Sequence, residues 1–135
     1  MIAPDGLMPR RATVGSAGYD FLAPKTIHLI PGRWVEVDTG VCLTDEDFPA
    51  GHWFMMLVPR SGLGFRYGVR LSNTVGIIDM DYRQSIRAKI TSDVECIIDV
   101  GEAFMQGILV PFGTLCDEVA PTSRREGGFG STDRR

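Results

Sequence analysis

The sequence predicts an all-β protein, a distorted jelly roll or β-sandwich of many short strands. Sixteen glycines and eight prolines interrupt the chain at short intervals. The runs between them are rich in Val, Ile, Phe, Trp and Thr, which favour strands, and their spacing of about eight to twelve residues is typical of sandwiches and barrels. No segment longer than about a dozen residues keeps the periodicity of a helix without a Gly or Pro break.

The first strands follow from local patterns. Residues 26–30 form a short β-rich run that is closed by a Pro-Gly turn. Residues 34–39 alternate large apolar and charged side chains, as a half-buried strand does. Residues 52–58 are more continuously apolar, which predicts a buried strand that ends at Pro59. Residues 62–67 are the best candidate for a short helix.

Three more strands are predicted beyond this helix. Residues 85–91 alternate apolar and basic side chains, and residues 94–100 and 103–110 are separated by a Gly-Glu turn. The hydrophobic fraction of 44% suffices for a core, so residues 1–123 are expected to form one domain. Residues 124–135 have no period and carry four arginines against two acids, which predicts a flexible C-terminal arm.

Charge and composition exclude several partners and sites. The net charge of −3 gives no overall attraction to nucleic acid or an anionic membrane, and no apolar run is long enough to span a bilayer. The N-terminus lacks the pattern of a signal peptide, so a cytoplasmic protein is expected, in the host cytoplasm if the source is a phage or virus. The three cysteines and two histidines are too dispersed for a disulfide framework or a zinc site. Any metal must be held by carboxylates, water or a ligand.

The strongest candidate for chemistry lies in residues 73–82. Apolar residues are followed there by Asp79, and an acid beside β-branched side chains is a candidate general base. Gly76 permits a close approach or a bend of the backbone. The simpler interpretation is a hairpin with acidic turn residues, because single motifs carry a high risk of false positives.

Other stretches suit a ligand with phosphates and a flat ring. Residues 59–64 place a cation, a hydroxyl and a permissive backbone after a buried strand, which is either an anion site or an ordinary turn. Asp20 follows a glycine turn, where an acid more often caps the turn than orients a metal shell. Gln106 is a lone amide in an apolar strand, either a satisfied core polar group or a ligand contact. In the arm, arginine and hydroxyl groups suit phosphate oxygens and Phe129 suits a heterocycle, unless the arm is only a frayed terminus.

Five segments resemble the motifs of the homotrimeric deoxyuridine triphosphatases (dUTPases), in the same order and at similar spacing. They span nearly the whole chain: residues 17–23, 59–64, 76–86, 101–111 and 124–132. The most specific pieces are Pro-Arg-Ser-Gly-Leu, Gly-Ile-Ile-Asp-Met-Asp-Tyr-Arg and Gly-Gly-Phe-Gly-Ser-Thr. Several degenerate motifs in the correct order make a stronger signal than any one of them.

The resemblance implies a jelly-roll homotrimer that hydrolyses dUTP to dUMP and pyrophosphate with Mg²⁺, at sites between subunits. Asp79 would hold the attacking water, take its proton and direct it at the α-phosphorus. The Mg²⁺ would sit mainly on triphosphate oxygens and water, without a direct protein ligand. Asp20 would act on it through ordered water or a neighbouring arginine.

The resemblance also implies the substrate contacts. The phosphates would be bound by Arg60, Ser61, Gly62 and Gln106. The arm would close over the γ-phosphate and stack on uracil with Arg124, Phe129, Ser131 and Thr132. The uracil edge and the deoxyribose would be read by Asn73, Gly76, Ile78 and Tyr82. On a flat strand Asp79 and Tyr82 would point to opposite faces, so a bend or bulge between them is required.

The sequence departs from the family pattern at Gln84-Ser85, Ala103, Arg125 and Asp133. Arg125 replaces a glycine of the arm, and the departures bear on hairpin geometry, trimer contacts and arm closure. Two alternatives stay open. One is a dCTP deaminase-like enzyme of the same fold, which needs a glutamate near the place of Ser85. The other is a nucleotide-gated regulatory binding protein whose arm exposes or hides a surface for a protein partner.

Overall fold

The computed structural model describes residues 1–122, 125, 127 and 128, and within them the chain is built almost wholly of strands. The strands are β1 (Arg10–Arg11), β2 (Gly18–Leu22), β3 (Ile27–Leu29), β4 (Val35–Asp38), β5 (Trp53–Pro59), β6 (Arg70–Leu71), β7 (Gly76–Ile78), β8 (Arg87–Thr91), β9 (Cys96–Ile98) and β10 (Ala103–Pro111). One short α-helix, α1 (Ser61–Tyr67), follows β5, and Asp45–Asp47 form a 3-10 turn. The predicted all-β class is confirmed.

The strands form three antiparallel sheets. The largest has the order β1-β2-β10-β5-β7, the second β4-β8-β6, and the third is the pair β3-β9. The long strand β10 lies between β2 and β5, so it joins the start of the chain to the middle of the sequence. Apart from β1 and β2, neighbouring strands are not consecutive in the sequence, so the fold depends on long-range pairing. No helix in the described part of the chain is long and apolar enough to cross a membrane.

The core is a single hydrophobic cluster to which all three sheets contribute. Its largest fully buried members include Phe21, Phe104, Leu57, Ile90, Leu29 and Ile98. Burial of each such side chain contributes about 1.5–3 kcal/mol. Strand β5 was expected to be a buried strand because its sequence is nearly continuously apolar, but only Met55 and Leu57 are buried and their neighbours are partly exposed. The strand is central in its sheet, yet its outer face is open.

Helix α1 confirms the predicted helix and ends at a left-handed glycine. Gly68 has a φ of 66° and its N–H donates to the carbonyl oxygen of Gly64 at 3.0 Å, which is the usual way to end a helix. A Cβ on Gly68 would also lie 2.3 Å from Asp93 Oδ2. The C-terminal end of α1 is therefore fixed at Gly68. At the other end, residues 60–62 follow directly after the last residue of β5.

Residues 73–82 do not form the simple hairpin with acidic turn residues that the sequence suggested, because β7 pairs with β5 and the next strand, β8, pairs with β4 and β6. Strand β6 pairs with β8, whereas β7 pairs with β5 in a different sheet. The two strands share only the bridge between Leu71 and Thr74, and Thr74 has a φ of 67°, a conformation that non-glycine residues rarely adopt. The chain thus crosses from one sheet to another here, and a cavity opens at the crossing.

Candidate active site

A cavity of about 570 Å³ lies at this crossing between sheets. Its wall contains five of the residues singled out from the sequence: Asn73, Gly76, Ile78, Asp79 and Tyr82. Residues of β4 and β8 also line the cavity, among them Glu36, Arg87 and Lys89. Sequence reasoning missed these three charged residues, because only the pairing of β8 with β4 and β6 brings them to the cavity.

Gly76 has a packing reason to be glycine. It pairs with Leu57 of β5, and a Cβ at residue 76 would lie only 3.0 Å from Leu57 Cβ. The missing side chain therefore lets β7 lie close against β5. Because β7 is the last strand of its sheet, its outer edge offers backbone donors and acceptors toward the cavity.

A turn after β7 supplies the bend that a shared site for Asp79 and Tyr82 requires. The Tyr82 N–H donates to the Asp79 carbonyl oxygen at 3.0 Å, and both residues line the cavity. The Tyr82 side chain is almost fully buried, with 4% exposed, and its hydroxyl donates to the Ser85 carbonyl oxygen at 2.7 Å. Burial raises the pKa of Tyr82, so the hydroxyl stays neutral and can donate. Its hydrogen bond to Ser85 holds the ring in place.

Asp79 does not have the apolar surroundings that the sequence suggested. Its side chain is 47% exposed and forms an ion pair with the Arg125 guanidinium. The same guanidinium donates from Nε to Asp81 Oδ1 at 3.0 Å and from Nη1 to the Gly127 carbonyl oxygen at 3.2 Å. Asp79 therefore stands in a polar cluster at the cavity wall. The only feature of the local sequence that pointed to this cluster was the pair of acids, Asp79 and Asp81, two residues apart.

A second group of residues lies on the neighbouring strands β2, β10 and β5. Asp20 and Gln106 are directly opposite each other, and Gln106 is opposite Val58. The Arg60 Nε lies 3.1 Å from Asp20 Oδ1, and Gln106 Nε2 donates to the Pro59 carbonyl oxygen at 3.1 Å. Asp20 is thus a strand residue rather than a turn residue, and it is paired with the neighbouring arginine.

Ser61 and Gly62 extend this second group at the start of α1. Both are exposed, and a Cβ on Gly62 would meet no atom of the described residues within 4 Å. The surface around Arg60 is therefore open to a partner or ligand from outside the chain.

The two groups lie at opposite ends of β5. Asp79 follows Ile78, which pairs with Met55, whereas Arg60 comes after the other end of the strand. From Met55 to Arg60 the strand spans roughly 17 Å at about 3.3 Å per residue. None of Arg60, Ser61, Gly62, Gln106 and Asp20 lines the cavity. The predicted site residues therefore fall into two separate groups, which we call the Asp79 half-site (residues 73–82) and the Arg60 half-site (Asp20, residues 60–62 and Gln106).

The departure at Ser85 also has a structural role. The Ser85 hydroxyl donates to Asp38 Oδ1, and Gly40 N donates to the same oxygen at 3.0 Å. These hydrogen bonds, the one from Ser85 first, hold the pKa of Asp38 below its usual value. Because the Ser85 carbonyl oxygen accepts from Tyr82, the same residue links β4 to the turn that carries Tyr82.

Four predicted contacts lie outside the described residues: Arg124, Phe129, Ser131 and Thr132. Within the described part of the chain, no three His, Cys, Asp or Glu side chains come together as metal ligands.

Comparison with known proteins gives one consistent family. The dUTPase family model matches residues 5–133. Deoxyuridine 5'-triphosphate nucleotidohydrolases from Albidiferax ferrireducens and Burkholderia ambifaria are 37% and 36% identical, each over 94% of this chain and 89% of the relative.

Solved structures agree with the sequence relatives. The dUTPase from Streptococcus mutans superposes with a TM-score of 0.69 at 30% identity, over 83% of this chain and 91% of the other. A dUTPase of Staphylococcus aureus phage phi11, described with a structural Mg(II) ion, has a TM-score of 0.70 at 20% identity, over 94% and 97% of the two chains. At that identity, the phage enzyme supports the fold alone.

Proposed function

The chain is a dUTP diphosphatase of the dUTPase family, and we propose that it hydrolyses dUTP with Asp79 as general base and Mg²⁺ as cofactor. In this reaction an oxygen of water forms a bond to the α-phosphorus while the bond from that phosphorus to the bridging oxygen breaks. Pyrophosphate leaves with the electron pair, and Asp79 takes the proton of the water. The single observation that carries the proposal is the presence of Asp79 and Tyr82 in one cavity beside an open strand edge.

Asp79 suits the role of base by its exposure and its remaining oxygen. Its Oδ2 accepts from Arg125, and a carboxylate has lone pairs left to accept from a water molecule. With 47% of the side chain exposed, such a water can reach it. Positioned general bases typically contribute about 10²–10⁴-fold in rate.

Uracil would be read along the outer edge of β7. The backbone groups of Gly76 and Ile78 on that edge, together with the Asn73 side chain, would match the donors and acceptors of uracil and mismatch those of cytosine. Mismatched polar groups discriminate more strongly than shape. The thymine methyl would collide with the closely packed backbone, and the ring of Tyr82 would lie under the deoxyribose where a 2′-hydroxyl would collide.

The triphosphate would be bound by the Arg60 half-site. Asp20 holds the Arg60 guanidinium through Nε, which leaves the outer nitrogens to face phosphate oxygens. Ser61, Gly62 and Gln106 would add a hydroxyl, a backbone N–H and an amide. Bound Mg²⁺ would neutralise charge on the triphosphate, and Asp20 would influence it through water. Residues 124–135 would close over the nucleotide as a lid, with Arg124, Ser131 and Thr132 at the γ-phosphate and Phe129 on uracil.

The separation of the two half-sites favours a site shared between subunits. A cyclic homotrimer would bring the Asp79 half-site of one chain against the Arg60 half-site of the next, because a heterologous interface repeats around a ring. Mixing two inactive variants tests this directly. In randomly mixed trimers of Asp79→Asn and Arg60→Ala chains, about one site in four combines two intact halves.

We expect such mixtures to recover about a quarter of the wild-type rate at low dUTP, while each variant alone stays nearly inactive. The mass of the assembly, measured by sedimentation, should be that of a trimer. A mixture that forms trimers but recovers no activity would contradict a shared site.

Substrate choice is tested by measuring pyrophosphate release from dUTP, dCTP, TTP and UTP with Mg²⁺. We expect a kcat/KM for dUTP that exceeds the others by at least about a hundredfold. Hydrolysis in ¹⁸O-labelled water should place the label in dUMP. Label in pyrophosphate, or release of ammonia from dCTP, would contradict the proposed reaction.

A further inference from the structure

Arg125 is the most connected described residue of the arm. Its side chain is 21% exposed and contacts both acids of the turn after β7, pairing with Asp79 through Nη2 and with Asp81 through Nε at 3.0 Å. Its Nη1 donates to the carbonyl oxygen of Gly127. One guanidinium therefore bridges two carboxylates and also fixes the backbone of the arm.

A second contact holds the arm at the same cavity. Gly128 lies so close to the Tyr82 ring that a Cβ at residue 128 would come within 2.5 Å of Tyr82 Cε2. The ring cannot easily retreat, because its hydroxyl is bonded to Ser85. Both Arg125 and Gly128 line the cavity. The start of the arm is thus placed on the cavity of its own chain.

We propose, on the basis of the proposed function, that Arg125 is a substrate-positioning residue. It anchors the start of the arm on the Asp79–Asp81 turn, and it neutralises the charge of both acids where the triphosphate would enter. Two unpaired carboxylates at this point would repel a polyanion, and their repulsion would be strong beside a partly enclosed cavity. A bridging guanidinium cancels much of that charge. Its contact with Asp79 uses only one carboxylate oxygen, so the other stays open to water.

Arg125 also retains donors for the substrate. A guanidinium has five N–H groups, and the contacts to Asp79, Asp81 and Gly127 use three of them. The remaining two belong to the terminal nitrogens and suit phosphate oxygens. A lysine carries the charge but cannot bridge two carboxylates in a fixed plane, so it should replace Arg125 only in part.

The test compares Arg125→Gln, Arg125→Lys and a matched control, Arg70→Gln. Arg70 is also paired with an acid, Asp93, at 2.7 Å, and it does not line the cavity. We expect Arg125→Gln to raise KM for dUTP about tenfold with kcat changed less than about twofold. Arg125→Lys should fall between it and the wild type, and Arg70→Gln should match the wild type.

A double-mutant cycle with Asp81→Asn tests the bridge itself. In the Asp81→Asn background, Arg125→Gln should raise KM by less than about threefold, because part of the bridge is already gone. An equal tenfold rise in both backgrounds, or no rise in either, would overturn the proposal.

Binding of the substrate analogue dUpNHpp, measured by calorimetry, separates this inference from the proposed reaction. If Arg125→Gln weakens analogue binding about tenfold while the wild type releases no pyrophosphate, the hydrolysis scheme fails and the positioning role stands. If Arg125→Gln binds the analogue as tightly as an active wild type, the positioning role fails.

Discussion

Gln106 lies directly over Gly18, so closely that a Cβ on residue 18 would come within 2.1 Å of Gln106 Oε1. The two residues belong to the paired strands β2 and β10. With this space free, Gln106 reaches the Pro59 carbonyl oxygen on the next strand. The glycine therefore sets the position of the Gln106 amide within the Arg60 half-site.

Gly18→Ala should displace Gln106 and weaken dUTP binding. The added methyl cannot share the space of the amide, so Gln106 must turn away from Pro59 and from the phosphates. We expect KM to rise about tenfold with a small fall in thermal stability. Gly113→Ala is the matched control, since a Cβ there meets nothing within 4 Å in the part of the chain that the structure describes. Equal kinetics for the two variants would show that Gln106 has no part in binding.

Tyr82 should discriminate against UTP through its ring rather than its hydroxyl. Tyr82→Phe keeps the ring but leaves the Ser85 carbonyl oxygen without its donor, so we expect a loss of about 1 kcal/mol in the free energy of unfolding. The dUTP to UTP ratio of kcat/KM should stay within about twofold. Tyr82→Leu should lower this ratio about tenfold or more, and it is preferable to alanine, which would cost about 3–5 kcal/mol at a buried site.

If the dUTP to UTP ratio of kcat/KM is unchanged in Tyr82→Leu, the ring does not discriminate between deoxyribose and ribose. If this ratio falls equally in Tyr82→Phe and Tyr82→Leu, the hydroxyl rather than the ring discriminates between the two sugars. Urea unfolding of each variant separates these kinetic effects from loss of the fold.

Asp38 should make stability depend on pH in the acid range. Its pKa in the folded chain is lowered, mainly by the Ser85 hydroxyl and then by Gly40 N. The unfolded state therefore binds protons more readily, so this stabilisation is complete above the ordinary aspartate pKa and is lost as the pH falls through the folded one. The free energy of unfolding of Asp38→Asn should fall less from about pH 5 to about pH 3 than that of the wild type. The exposed Asp117→Asn serves as the control. If the free energy of unfolding of Asp38→Asn fell as much as that of the wild type, Asp38 would not be the source of this pH dependence.

Local pattern was enough for the fold class and for most strands. Alternating residues located β4 and β8, and glycine and proline bounded α1 and β10. The hairpin predicted at residues 73–82 was wrong because β7 and β8, the strands before and after the acidic turn, pair with other strands and not with each other. Such partners are set by the packing of the whole core, which no local window contains.

As with the fold, the parts of the candidate site that depend on local sequence could be predicted, and those that depend on distant contacts could not. The stretch that carries Asp79 and Tyr82 could be recognised from its residues, and the turn between them brings both to one cavity. The polar surroundings of Asp79 could not be foreseen, because they come from Arg125, which is 46 residues away in sequence. The separation of the two half-sites depends on the register of β5 with β7. The chemical roles of these residues remain predictions.

The most direct test of the account is the rate of pyrophosphate release from saturating dUTP by Asp79→Asn, with Asp81→Asn measured beside it. Both variants remove one carboxylate from the same turn and from the same guanidinium. If Asp79 takes the proton of the attacking water, its loss should lower kcat by at least about a hundredfold, and Asp81→Asn should keep kcat within a few-fold of the wild type. A rate for Asp79→Asn equal to that of Asp81→Asn would contradict the assignment of Asp79 as the base.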